Sequence, residues 1–333
     1  MKNRPTIEEV AANIYRIVIP IPIPLLDSIN AYVAIGSGRN LIVDPGMYLV
    51  QCRDALQFAL NKLNVDLEST DFFITHGHPD HFGLVSMLIT DQSTVYINKK
   101  EVEVIERVRS YALLTDWTHF LAITGFPESD IGRVMPDDAG HEYRVRNSWP
   151  FRLVDDGDIL DVGGHAFRCV HTPGHTDGHM CLYDAAQRIL LAGDHLLHDI
   201  TPAVQRMSEA ADPLGDYLTS LKKVSLLDVE CVLPGHRSVF KNWRERISEL
   251  EAHHEHRAAE VMSVLSDGSK DAYGVASRIS WSIVDCDGWG SAPILQKFFA
   301  TAEAFAHLKY LERHDRIQSE PQGHRIAYSL PEC

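Results

Sequence analysis

The stretch FFITHGHPDHFG, residues 72–83, sets His76, His78, Asp80 and His81 within six residues, directly behind an apolar run. The run reads as a strand, so the histidines sit where the chain leaves the sheet. Side chains two apart in an extended segment point to the same side, so His76 and His78 can hold one metal ion. Gly77 lets the backbone pass close, and Pro79 fixes the exit turn. Asp80 and His81 then begin a helix and can reach a second ion. Imidazole and carboxylate are the ligands that a borderline divalent ion selects. The competing reading, Asp80 as a helix N-cap and the histidines as solvated loop residues, would serve for one such residue. It does not account for four together.

Three later segments repeat the arrangement. FRCVHTPGHTDGH is a strand, a turn and His175; RILLAGDH is a strand, a glycine and Asp194; ECVLPGHRS is a strand, a Pro-Gly turn and His236. Each puts one candidate ligand just past the carboxyl end of a strand, where open α/β sheets build their sites. His179 reads as a supporting or structural residue, and His195 and His198 as candidates for the pocket or for orienting the ligands. The sequence has no G-x-S-x-G, no P-loop and no G-x-G-x-x-G, so serine-hydrolase, ATP and NAD chemistry have no support.

In these segments, THGHPDH, TPGHTDGH, LLAGDH and LPGH, the chain resembles the metallo-β-lactamase superfamily over roughly residues 14–240. The resemblance implies an αββα sandwich with the metals at one edge between the sheets. It implies that His76, His78 and His175 bind a first metal, that Asp80, His81 and His236 bind a second, and that Asp194 bridges both. Asp80 and Asp194 are then the carboxylates at the catalytic centre. With all seven positions filled, two divalent ions are expected, zinc first, with manganese or iron as alternatives. Water between two such ions loses its proton near neutral pH and supplies the nucleophile. Asp80 as a ligand also distinguishes this set from the di-iron oxygen reductases of the superfamily, which favour a Glu in the first motif and carry a flavin domain; neither is visible here.

The elements that must position these residues follow an α/β pattern. NIYRIVIPIPI is β-branched, with prolines that suit an edge strand. INAYVAIGSGRNLIVDPG reads as a hairpin, and the next segment carries Cys52, Leu56, Ala59, Leu60 and Leu63 at helical spacing. DPLGDYLTSLKKVSLLD is an amphipathic helix opened by Asp212 and Pro213. The expected fold is therefore α/β: an αββα catalytic domain over 1–240, with a helical insertion at about 99–150, and a small, mostly helical domain over 241–333. The insertion could lie over the metal edge as a lid, with Tyr111, Trp117, His119, Phe120 or Phe126 facing a substrate. The alternative is an ordinary helical layer with those aromatics in its core. The tail orders a long helix, two helical stretches and a strand pair, which resembles a winged-helix appendage. It holds 11 Lys and Arg against 14 Asp and Glu, a net of −3, where a DNA-reading helix should be basic. The expectation is that it packs on the hydrolase core or makes a homodimer contact. His253, His254 and His256 diverge on one helix and read as a solvated polar face.

Composition bounds the partners. The net charge of −15 argues against nucleic acid, which binds through clustered Lys and Arg. The six cysteines form no C-x-x-C pair and read as free thiols of a reducing, cytoplasmic compartment. The start has no apolar core of a signal peptide, and no apolar run approaches the length of a membrane span. The expected activity is hydrolysis of a carboxylic ester, thioester or lactone, resembling the glyoxalase-II and lactonase branch, on a small acyl substrate. The alternatives are phosphodiester cleavage of RNA and a DNA-binding regulator with a degenerate hydrolase domain.

Overall fold

The computed structural model describes residues 5–23, 26–109, 112–134, 151–162, 164–205, 211–281 and 288–331. Tyr111, Cys286 and Cys333 lie outside them. The described strands of the first sheet are β1 (Thr6–Ala11), β2 (Ile14–Pro20), β3 (Ser28–Ala34), β4 (Asn40–Val43), β5 (Thr70–Phe73), β6 (Val95–Ile97) and β7 (Phe151–Leu153), side by side in chain order. The first four pair antiparallel, and β4 through β7 pair parallel. The second sheet holds β8 (Ile159–Val162), β9 (His165–His171), β10 (Met180–Asp184), β11 (Ile189–Gly193) and β12 (Cys231–Pro234), with β11 and β12 parallel.

The alternation of side chains explains why the strands read as unbroken apolar runs. Leu41 and Val43 of β4, Phe73 of β5 and Leu191 of β11 point inward, into a core between the sheets. Ile42 and Phe72 point the other way, onto α1 (Val50–Lys62), α2 (Pro79–Phe82) and α3 (Val85–Leu88). On the far side, Leu190 and Ala192 of β11 meet helix α7 (Pro213–Ser225) and the start of α8 (Trp243–Leu265). Both faces of the central strands are thus buried, and the layers run α, β, β, α. Cys52, Leu56, Ala59 and Leu60 are the buried face of α1. Asp212 caps α7 by accepting the Gly215 N–H at 2.9 Å.

The edge expectation is corrected at β2. It lies between β1 and β3, so β1 is the edge strand, and the prolines fall at the end of β2 and beyond it, where no central ladder bond is lost. Cys52, Cys169, Cys181 and Cys231 are buried free thiols. Among the described residues, no helix is long and apolar enough to cross a membrane.

The insertion contributes α4 (Lys99–Arg109), α5 (Ala112–Ile123) and α6 (Glu128–Val134); the tail continues from α8 with α9 (Ala272–Ala276), α10 (Ile294–Arg313) and the antiparallel pair β13 (Gln318–Gln322) and β14 (Arg325–Ser329). Phe120, Leu121, Ile123, Phe126 and Val134 of the insertion share one buried core with Ala258, Val261, Phe298, Phe305 and Tyr328 of the tail. The solvated-face reading fails at His254. It is buried on α8, with its ring 5.3 Å from that of His307 and 5.5 Å from that of Tyr217. Only His256 of the three is exposed.

Candidate metal centre

His76, His78, Asp80, His81, His175, Asp194 and His236 all come to one edge of the sandwich, beyond the carboxyl ends of β5, β9, β11 and β12. Two groups form within it. His76 Nε2 lies 3.0 Å from His78 Nδ1 and 3.2 Å from His175 Nε2, and the last two are 3.0 Å apart. Three nitrogens tetrahedrally placed on zinc would be about 3.3 Å apart, given Zn–N bonds of about 2.05 Å. In the second group His236 Nε2 lies 3.4 Å from Asp80 Oδ2, and His81 Nε2 lies 3.8 Å from the same oxygen. Asp194 stands between the groups. Its Oδ2 is 3.5 Å from His236 Nε2 and 3.7 Å from His175 Nε2, and its Oδ1 is 3.6 Å from His81 Nε2.

The outward nitrogens of His76, His81, His175 and His236 are taken, which fixes those four rings. His175 Nδ1 donates to the Ala203 carbonyl at 2.6 Å, and His236 Nδ1 to the Ser28 carbonyl at 2.7 Å. His81 Nδ1 donates to Asp44 Oδ2 at 2.8 Å. The Thr75 hydroxyl donates to the same oxygen at 2.6 Å, which leaves it to accept from His76 Nδ1 at 3.0 Å. Asp44 also accepts the Thr75 N–H at 2.9 Å. One buried carboxylate just past β4 therefore orients a ring in each group. Asp44, His76 and His81 lie close enough to suggest a third cluster. Their facing atoms are already hydrogen-bonded, so that closeness is the support for the two groups and not another ion site.

With the outer nitrogens spent as donors, the inner ones present lone pairs to one another. His81 Nε2, His236 Nε2 and Asp194 Oδ1 are buried and have no hydrogen-bond partner. Orphaned acceptors converging on one point are costly unless a cation lies among them. The electrostatics agree. Burial holds His76, His175 and His78 below the ordinary histidine range, His78 at about 3, which keeps them neutral and fit to ligate. In the second group burial opposes charge on His81 and His236, but Asp194 and its neighbouring carboxylates outweigh it and raise both. Burial likewise opposes ionisation of Asp80, and His81 and His236 overcome it, bringing it to about 2. The carboxylates of this group therefore favour a positive charge among them, which is what a bound cation would supply.

Glycine makes room for this crowding. A Cβ at Gly235 would lie 2.6 Å from Asp194 Oδ1 and 2.9 Å from His81 Cε1. The loop that carries His236 is tied back to β3: Asn30 Nδ2 donates to the Pro234 and Arg237 carbonyls at 2.9 Å each, and the Tyr32 hydroxyl to the Pro234 carbonyl at 2.7 Å.

The profile of the metallo-beta-lactamase superfamily matches residues 25–236. The chain belongs to the metallo-beta-lactamase superfamily. A crystal structure of a metallo-beta-lactamase family protein from Thermus thermophilus, TTHA1429, superposes with a TM-score of 0.80 at 28% identity, covering 97% of this chain and 100% of that one. The probable metallo-hydrolase YqjP of Bacillus subtilis is 25% identical over 94% of this chain and 97% of its own length. The acyl-coenzyme A thioesterase MBLAC2 of Homo sapiens is 24% identical over 75% of this chain and 87% of its own. This superfamily member is a hydrolase with His and Asp groups that can hold metal, in a superfamily that typically binds two ions.

The residues expected to support the site divide in placement. His179 lies beneath the centre: its Nε2 accepts the Asp194 N–H at 3.2 Å and its Nδ1 meets the Thr172 hydroxyl at 2.9 Å. His195 turns inward and packs its ring 5.4 Å from that of Tyr217. His198 lies with its ring 5.1 Å from that of Phe240. Of the aromatics expected at the substrate, Tyr111 lies outside the described residues, while Phe120 and Phe126 lie in the core shared with the tail and Trp117 packs against it. Phe120 is 1% exposed, and Trp117 stacks 5.2 Å from Phe298, both against the tail helix α10. The structure gives Phe120 and Trp117 the core role that the sequence left as the alternative to a lid. His119 is exposed and lines a groove of about 350 Å³ with Ala122, Ile123 and residues of the β13–β14 turn. Asp44, Thr75, Asn30 and Tyr32 were absent from the expected site. Asp44 had a signal, an acidic residue at the end of the apolar run NLIV, but its partners lie 31 and 37 residues away.

Proposed function

We propose that the chain is a binuclear metallohydrolase of acyl thioesters, with esters and lactones as further substrates. The observation that carries the reading is the convergence of His76 Nε2, His78 Nδ1 and His175 Nε2 on one point, and of the unpartnered His81 Nε2 and His236 Nε2 with Asp80 on an adjacent one, with Asp194 between the two. In it, His76, His78 and His175 would hold one ion, Asp80, His81 and His236 the other, and Asp194 would serve both; zinc is the first choice for the nitrogen-rich group. Two such ions would acidify a water as the nucleophile and polarise the acyl carbonyl.

This chain's own residues supply the framework. The Asp44–Thr75 network and the Ala203 and Ser28 carbonyls hold the imidazoles of His76, His81, His175 and His236 in one tautomer before any ion or substrate arrives. Asp80 and Asp194 are held ionised and face the site as acceptors, with no proton to give a leaving group. A thiolate leaves without one, since a thiol ionises near pH 8.5 and an alcohol far higher. The thioesterase name of a relative points the same way. We also propose the division into a catalytic part over 1–240 and a tail over 241–333.

The test is a panel on zinc-loaded protein: acyl-CoA thioesters, matched oxyesters, lactones, bis-p-nitrophenyl phosphate and short RNAs. Thioesters should give the highest kcat/KM, and Asp194→Asn should abolish it. A preference for the phosphodiester or RNA would overturn the substrate class. No hydrolysis of any, together with tight DNA binding, would overturn the enzyme reading itself.

A further inference from the structure

Glu101 is a carboxylate with no exposed surface, at the start of the insertion, and it is no member of either ligand group. In sequence, Asn98-x-x-Glu101 has the spacing of a capping box, in which the acid would turn back to the N-cap N–H. Asn98 does cap α4, its Oδ1 accepting the Lys100 N–H at 3.0 Å. Glu101 does not turn back. Its Oε2 accepts the Gly77 N–H at 2.6 Å and its Oε1 accepts the Gly178 N–H at 2.7 Å.

Those two glycines stand on the two loops that supply the three-imidazole group. Gly77 separates His76 from His78 at the end of β5, in the first sheet. Gly178 lies between His175 and His179 in the turn after β9, in the second. One carboxylate, one oxygen to each loop, therefore clamps together ligands that come from opposite sheets. Hydrogen bonds to an ionised acceptor are about twice as strong as neutral ones, and the burial of Glu101 makes both N–H groups expensive to leave unpaired. The approach is close enough to require glycine: a Cβ at Gly178 would stand 2.7 Å from Asn98 Oδ1 and 2.8 Å from Glu101 Oε1.

We infer that Glu101 is a positioning residue that sets the affinity of the His76–His78–His175 group for its ion. The inference rests on the reading that this group binds a metal. It separates Glu101 from a helix cap, which would affect the stability of α4 and leave the metal alone. Glu101→Gln tests it sharply, because an amide offers one acceptor and one donor, and so must turn an NH₂ toward one of the two glycine N–H groups.

The experiment uses the full chain, stripped with a chelator and titrated with Co²⁺ against a competing chelator, with the visible d–d bands as a second readout. Wild type should take two ions. Glu101→Gln should bind one of them ~10–100-fold more weakly, the scale seen when a group that orients a metal ligand is lost, and keep the other unchanged. Asn98→Ala should lower the thermal midpoint and bind both as wild type does. Glu101→Asp, which keeps the charge but is too short to span both loops, should weaken the same ion; it also stands in should the Gln variant fail to fold. Wild-type affinity for both ions in Glu101→Gln or Glu101→Asp would overturn the inference, as would Asn98→Ala weakening the same ion equally. A wild-type chain that takes no ion at the three imidazoles would instead refute the metal reading beneath it.

Discussion

Phe120→Ala distinguishes a core aromatic from a substrate contact. Phe120 is 1% exposed, with edge-to-face partners Phe305 at 5.4 Å and Phe298 at 6.5 Å. Removing a buried phenylalanine ring costs about 3–5 kcal/mol, part of it in aromatic pairs worth about 0.5–1.5 kcal/mol each. Taking about 4 kcal/mol, and an unfolding entropy of about 2.1 cal/mol/K per residue over 333 residues, the thermal midpoint should fall by about 6 °C if the chain unfolds as one unit. Calorimetry reads that shift, and metal analysis of the folded variant should show unchanged content. In kinetics at 20 °C, kcat/KM for short and long acyl chains should fall together or not at all. A variant with its midpoint within 1 °C of wild type, and a tenfold loss confined to long acyl chains, would refute the core assignment and make Phe120 a pocket wall.

Gly235→Ala should cost most of the metal content of the folded protein, because its Cβ would meet Asp194 Oδ1 at 2.6 Å; full occupancy by elemental analysis would count against the crowding argument. Zinc added to stripped protein should raise its stability by about 2.7 kcal/mol for each ion bound at a free concentration 100 times its Kd, measured as a urea midpoint, and stoichiometry of one or none would contradict the two-ion reading. Burial, with His307 beside it, holds His254 at about 3, so between the ordinary histidine value of about 6.5 and that point the unfolded chain takes a proton that the folded chain refuses. Folding stability should therefore fall as pH drops through this window, and His254→Phe should flatten that acid limb of urea midpoints; parallel limbs would show that His254 is not its source.

What could be read from the sequence was what repeats locally. Each of His76, His175, Asp194 and His236 follows an apolar run by a turn, and each proved to lie past the carboxyl end of its strand. Asp212-Pro213 marked the start of α7 to the residue. The rest was not legible because it depends on pairs distant in the chain. Glu101 looks like half of a capping box until Gly178, 77 residues on, comes within reach. The polar look of AHHEH concealed His254, whose burial depends on His307 and Tyr217 on other helices. The aromatics of α5 carry no mark that says which apolar surface they will meet, and they met α10.

That meeting constrains how such a chain could have been assembled over time. Phe120, Leu121 and Phe126 belong to a segment inserted between β6 and β7, yet the surface that keeps them from water is contributed by residues after 240. Neither piece could have been acquired, or discarded, by itself without leaving an apolar face bare. Descendants that shed the tail must shorten or resurface the insertion in the same step, so across relatives the lengths of the two segments should vary together, although the whole second sheet of the sandwich separates them in the gene.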